Sequence, residues 1–157
     1  MILNKVISGG QTGVDRAALD AATESNISIG GFCPKDRRSE DREIPKKYPM
    51  IETESRAYHV RTKRNVIEAD GTLILTIGSL SGGTKLTAAY AEIHNKPSLI
   101  VHLDSKVDLN EVAGWIISNE IKILNIAGPR ESGVIGGIYA LAHAFLMDLF
   151  DSMGRHS

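Results

Sequence analysis

The chain has 157 residues, 42% of them hydrophobic and 24% charged, and a formal net charge of -1. That length suits one domain spanning 1–157 with a real core. The near-neutral charge removes the electrostatic case for nucleic-acid or membrane-surface binding. One cysteine, Cys33, excludes an internal disulfide framework, no apolar run reaches the roughly 18 residues of a spanning helix, and the first residues lack a secretory signal pattern, so a reducing cytoplasm is the expected home.

The chain opens on a β-rich stretch at 5–8 that runs into Gly9-Gly10-Gln11-Thr12-Gly13. Ala17, Ala18, Leu19, Ala21 and Ala22 then make a compact helix able to lie close on a sheet, and 27–32 reads as a second strand. The segment 33–49 loses all periodicity among Pro34, Pro45, Pro49 and many charges. With Ile44, Tyr48 and Met50 as apolar anchors it is expected to fold over the body as a lid, followed by a short edge strand at 51–53.

A helix is expected over 56–69, capped by Ser55, with Tyr58, Val60, Val66 and Ile67 for the core. The apolar run 72–77 reads as a strand buried on both faces, and leads through a second glycine-rich turn, 78–84, into a helix at 85–94. Strand 97–103, helix 108–120 and strand 123–127 follow. A third turn, Gly128-Pro129-Arg130-Glu131-Ser132-Gly133, precedes a helix at 135–150 whose apolar excess suggests a homo-oligomer.

Strands and helices alternating at this length imply an α/β fold, a mostly parallel sheet with helices on both faces. All strand-to-helix turns then emerge at one sheet edge, where the three turns can share a crevice. Gly9, Gly10, Gln11, Thr12 and Gly13 can cradle one anionic group with backbone donors, and Ser81, Gly82, Gly83 and Thr84 another. The first turn fits neither the P-loop nor the dinucleotide formula, and a plain tight turn capped by Thr12 is the competing reading.

For Arg130, beside Ser132, two readings stand: a bidentate hold on phosphate, or a salt bridge. Arg37, Arg38, Arg42, Arg61 and Arg64 lie among carboxylates and are mostly solvated or ion-paired. Cys33 is a buried inert thiol or a group at the crevice. Asp15 and Asp70 serve either acid–base chemistry or helix and turn ends. The five histidines lack metal-ligand spacing, so no protein-built metal site is expected.

Three segments together, 7–17, then Gly31-Phe32-Cys33-Pro34 through Arg38, Glu40, Asp41, Ile44 and Pro45, then Gly128-Pro129-Arg130-Glu131-Ser132, resemble the putative molybdenum carrier family. Arg64-Asn65-Val66 and 70–74 extend the likeness over nearly the whole chain. Arg42 stands where that family leads one to expect a glycine. The resemblance implies a Rossmann-like fold, self-association, and molybdenum cofactor, molybdopterin, as the phosphorylated small-molecule ligand. It also favours Arg38 and Arg64 as charge-neutralising partners beside Arg130.

A wider likeness links the chain to the lysine-decarboxylase-like nucleotide-binding enzymes, including the cytokinin-activating phosphoribohydrolases. Their G-G-x-G-T-x-x-E turn is shortened here to Gly82-Gly83-Thr84, and Thr87 stands where their catalytic glutamate would be. The resulting expectation is a carrier without covalent chemistry of its own. A nucleotide-processing enzyme using Asp15 or Glu92 with Arg130, or a nucleotide-sensing domain, is the alternative.

Overall fold

In a computed structural model describing residues 3–154, the chain enters through β1 (Lys5–Ile7), turns into α1 (Val14–Glu24) and returns as β2 (Ser28–Gly30). A long excursion then carries β3 (Phe32–Cys33), the hairpin of β4 (Arg38–Ser39) and β5 (Arg42–Glu43), and β6 (Ile51–Glu52). Beyond it come α2 (Tyr58–Glu68), β7 (Gly71–Thr76), α3 (Gly82–Ile93), β8 (Ser98–His102), α4 (Leu109–Ser118), β9 (Ile123–Ala127) and α5 (Tyr139–Gly154). None of the helices among the described residues is long and apolar enough to cross a membrane.

Five strands form one parallel sheet in the order β2-β1-β9-β7-β8. The strand that arrives last in sequence therefore lies at the centre. Counting β9 as strand one, then β1, β2, β7 and β8, turns the order into 3-2-1-4-5, the start of a doubly wound Rossmann-like sheet cut open after its first strand and helix. The point where the order reverses falls between β9 and β7, and a ligand crevice belongs at their carboxyl ends.

Alternation along the strands separates two chemically different faces. Val6, Leu73, Leu75, Leu124 and Ile126 join the large core under α1, α4 and α5. The opposite face, covered by α2 and α3, buries Thr72, Thr76 and Asn125, with Asn125 Nδ2 donating to Thr72 Oγ1 at 3.2 Å. The strand 71–76 is thus buried on both sides as expected, but one side sets Thr72 and Thr76 about Ile74 and ends at the crevice.

The excursion 33–49 folds over the body. Ile44 and Tyr48 are buried with Leu19 and Cys33 in a second small core, Met50 packs against it, and β6 pairs in parallel with β3. Arg37 closes this segment by donating to the carbonyls of Ile44, Pro45 and Tyr48 at 2.9, 2.7 and 2.8 Å. Arg42 sits at φ 92 in the β4–β5 hairpin, which explains the glycine expected there, since an L side chain is strained in that conformation.

Three expectations shift. Helix α2 begins at Tyr58, because Ser55 spends its hydroxyl on the N–H of Ala57 in a turn before the helix (3.0 Å). Ile67, expected inside, is 37% exposed. Helix α5 starts at Tyr139, because residues 135–138 form a glycine-bearing loop and Glu131 caps the helix by accepting from the N–H groups of Ile138 and Tyr139 at 2.7 and 2.8 Å. Packing against α1 and α4 absorbs most of the apolar surface of α5, leaving Leu141 half exposed.

Candidate functional site

A cleft of about 560 Å³ opens at the carboxyl ends of β7 and β9, where the strand order reverses. Each of the three turns reaches it: Gln11 from the first, Ser81 to Thr84 from the second, and Gly128 to Arg130 from the third. Helix α2 supplies the remaining wall with Tyr58, Arg61 and Thr62.

The first and second turns contribute very differently. In the first, Gly10 N donates to Ser8 Oγ, Gln11 N to Asp15 Oδ2 and Thr12 N to Gln11 Oε1, at 3.3, 3.1 and 3.1 Å. Its donors are spent inside the protein. Gly9, Gly10 and Gly13 are buried, and a Cβ at Gly13 (φ 79) would stand 2.5 Å from the Pro129 carbonyl oxygen. Gly82 and Gly83 have open space around them and begin a twelve-residue helix whose N-cap, Ser81, makes no side-chain cap. Thr84 and Thr87 are buried behind them, with Thr87 Oγ1 donating to Gly83 O at 2.9 Å.

Glu40, at the tip of the β4–β5 hairpin, fills the junction between the first and third turns. Its carboxylate accepts from the hydroxyls of Thr12 and Ser132 and from Ser132 N at 3.2 Å, with Arg130 Nη1 at 4.0 Å. These donors outweigh burial and hold Glu40 below the usual carboxylate range. Thr12 and Ser132 therefore face the 33–49 segment and not the cleft. Arg16 fixes the same hairpin by pairing with Asp41 at 2.5 Å and donating to Gly10 O at 3.0 Å.

Three guanidinium groups gather round one aromatic ring. Arg38, Arg61 and Arg130 lie 4.4, 5.4 and 5.4 Å from the centroid of Tyr58. Arg64, one helical turn from Arg61, instead lies over Phe32 at 4.4 Å and pairs with Glu68 at 3.5 Å, so it does not join them. Cys33 is fully buried and its thiol is pushed up by desolvation.

Arg61 is the residue that sequence reasoning passed over, having grouped it with the solvated arginines. Its Nε is buried without a hydrogen-bond partner, as is Nε2 of Gln11, and both residues line the cleft. Burial lowers the Arg61 pKa, opposed by attraction to Asp15. Asp15, also in the cleft wall, is pushed by desolvation up to about 6, against the opposing pull of Arg61. Among the described residues no group of three or more His, Cys, Asp or Glu could hold a metal ion.

A family model, the circularly permutated YpsA SLOG family, matches residues 6–150. The chain belongs to that family. A circular permutation agrees with the central place of β9 in the sheet. The chain is also similar to a crystal structure of a putative molybdenum carrier protein from Syntrophus aciditrophicus SB, 41% identical over 95% of each chain with a TM-score of 0.87. No curated protein matches the chain.

Proposed function

We propose that the protein is a carrier that binds an anionic, phosphorylated heterocycle in the cleft between β7 and β9, with molybdenum cofactor as its cargo. The observation that carries this reading is the pair of buried donors without partners, Arg61 Nε and Gln11 Nε2, in two residues that line the same cleft as the open N-terminus of α3. Buried donors without partners are costly in a folded protein, and a helix start with free N–H groups attracts anions. The chemistry fits the cargo: molybdopterin brings a phosphate, a flat ring system and an anionic metal centre to a cleft with cations, hydroxyls and the Tyr58 ring.

In this reading Ser81, Gly82, Gly83 and Thr84 hold one anionic group with Arg61 and Gln11. Arg130 and Arg38 balance charge at the Tyr58 end, and 33–49 serves as the lid. Gly9, Gly10, Thr12, Gly13 and Ser132 act by positioning Gln11, Asp15 and the lid. Likeness to the named carrier supports the cargo; a cytoplasmic homo-oligomer with the half-exposed Leu141 at its interface is part of the proposal, tested by sedimentation of wild type against a Leu141→Glu variant.

The test is calorimetric titration with inorganic phosphate and with molybdenum cofactor at pH 7. Loss of Arg61 in an Arg61→Met variant removes a charge-assisted hydrogen bond, for which about 1.5–3 kcal/mol, roughly 10- to 150-fold in affinity, is expected. Unchanged affinity in a folded variant overturns the site.

A second reading, an enzyme acting on nucleotides, rests on Asp15, a buried acid with a pKa near neutrality in the cleft. Thr87 at the position of the expected catalytic glutamate argues against it. Release of base from a panel of nucleoside monophosphates, lost in Asp15→Asn, would establish it.

A further inference from the structure

Asp15 is an unusual wall for an anion cleft. It is 5% exposed, it comes from the first turn of α1, and its carboxylate lies next to Gln11, whose N–H it accepts at 3.1 Å and whose side-chain amide Nε2 is unpartnered. Gln11 is itself 5% exposed, and both residues line the cavity that the α3 N-terminus opens into. An ionised carboxylate facing an anion repels it unless one proton lies between the two oxygens.

We infer that Asp15 makes this cleft select oxyanions that carry their own proton, hydrogen phosphate above all, over oxyanions that carry none, such as sulfate. The inference rests on the anion-binding reading of the cleft. Monohydrogen phosphate donates its O–H to the Asp15 carboxylate, so one hydrogen bond forms and no proton is taken from solvent. Sulfate has no proton to give at neutral pH, so the carboxyl must first take one from solvent and then donate it. Phosphate monoesters stand between the two, since their second pKa of about 6 matches the value of about 6 to which burial pushes Asp15.

Two guanidinium charges, Arg61 and Arg16, pull against the desolvation of Asp15 without overcoming it. Arg61 on α2 attracts it, and Arg16, on its own helix, attracts it less while also pairing with Asp41 and donating to the carbonyl of Gly10. In the third turn Arg130 lies toward Glu40 and the Tyr58 ring. On α5, packed along α1, Tyr139 and His143 are engaged with Asp20 and Glu24 further down α1.

The test is calorimetric titration of wild type with sodium phosphate and with sodium sulfate between pH 7 and 9, in two buffers of different ionisation enthalpy. Sulfate affinity is expected to fall about tenfold per pH unit with uptake of one proton, because Asp15 is ionised throughout that range. Phosphate affinity is expected to stay within about threefold with no proton uptake, and with partial proton release at the pH 7 end as dihydrogen phosphate ionises to the bound monohydrogen form. In Asp15→Asn the sulfate slope should vanish and the preference for phosphate collapse. Equal slopes and equal proton counts for the two anions in wild type overturn the selection by Asp15 while leaving the cleft an anion site. No binding of either anion at pH 7 overturns both readings.

Discussion

The two glycine-rich turns look like siblings in sequence, each following a strand and opening a helix, but they occupy opposite ends of a scale. At 9–13 the missing Cβ atoms make room for Arg61, for Ile44 and for the backbone of Pro129, and the amide donors are already bonded within the protein. At 82–83 the missing Cβ atoms leave open space at an uncapped helix start. Glycine in the first turn lets protein approach protein, whereas in the second it lets solvent or a ligand approach protein.

The sharpest way to break this contrast is one substitution on each side of it. Gly13→Ala must place a methyl 2.5 Å from a carbonyl oxygen at φ 79, so a loss of at least about 3 kcal/mol in denaturant unfolding is expected. An effect below about 1 kcal/mol would mean the turn yields. Gly83→Ala, at the other extreme, meets nothing and should change stability by no more than about 0.5 kcal/mol.

Asp15, which pins the first turn through Gln11 N, gives the next largest effect, and its sign follows from its raised pKa. The folded protein holds this proton more tightly than the unfolded chain, so the group favours folding below pH 3.8 and that contribution is lost as pH rises to about 6. Asp15→Asn should therefore gain on wild type by up to about 3 kcal/mol between pH 4 and 7, read as urea unfolding at each pH. A pH-independent difference would show that the carboxyl is not desolvated. The smaller test concerns the hairpin that latches onto the first turn: Arg42→Gly relieves a left-handed residue and should stabilise by about 1 kcal/mol, raising the thermal midpoint by a few degrees.

The alternation of apolar strands and amphipathic helices was legible because burial imposes it residue by residue, and so was the packing of 33–49 onto the body, through Ile44 and Tyr48. The shared crevice also followed from parallel topology. What sequence did not reveal is which turn faces it. That depends on β9 entering between β1 and β7, a pairing between segments about 50 and 120 residues apart that no local pattern encodes. Arg61 stayed hidden for the same reason: charge spacing along α2 does not distinguish an arginine in water from one folded under Gly9. Glu131, read as a neighbour of Arg130, turned out to cap α5 across a loop with two glycines at positive φ.

The central place of β9 also bears on how the molecule comes into being. During synthesis on the ribosome β1 and β7 emerge with one flank each unsatisfied, and the strand that bridges them is translated only after the first 122 residues. Neither half can settle into its final pairing before then, so assembly waits on the keystone. The cleft, built on the same seam, cannot exist in any nascent fragment that stops short of residue 123.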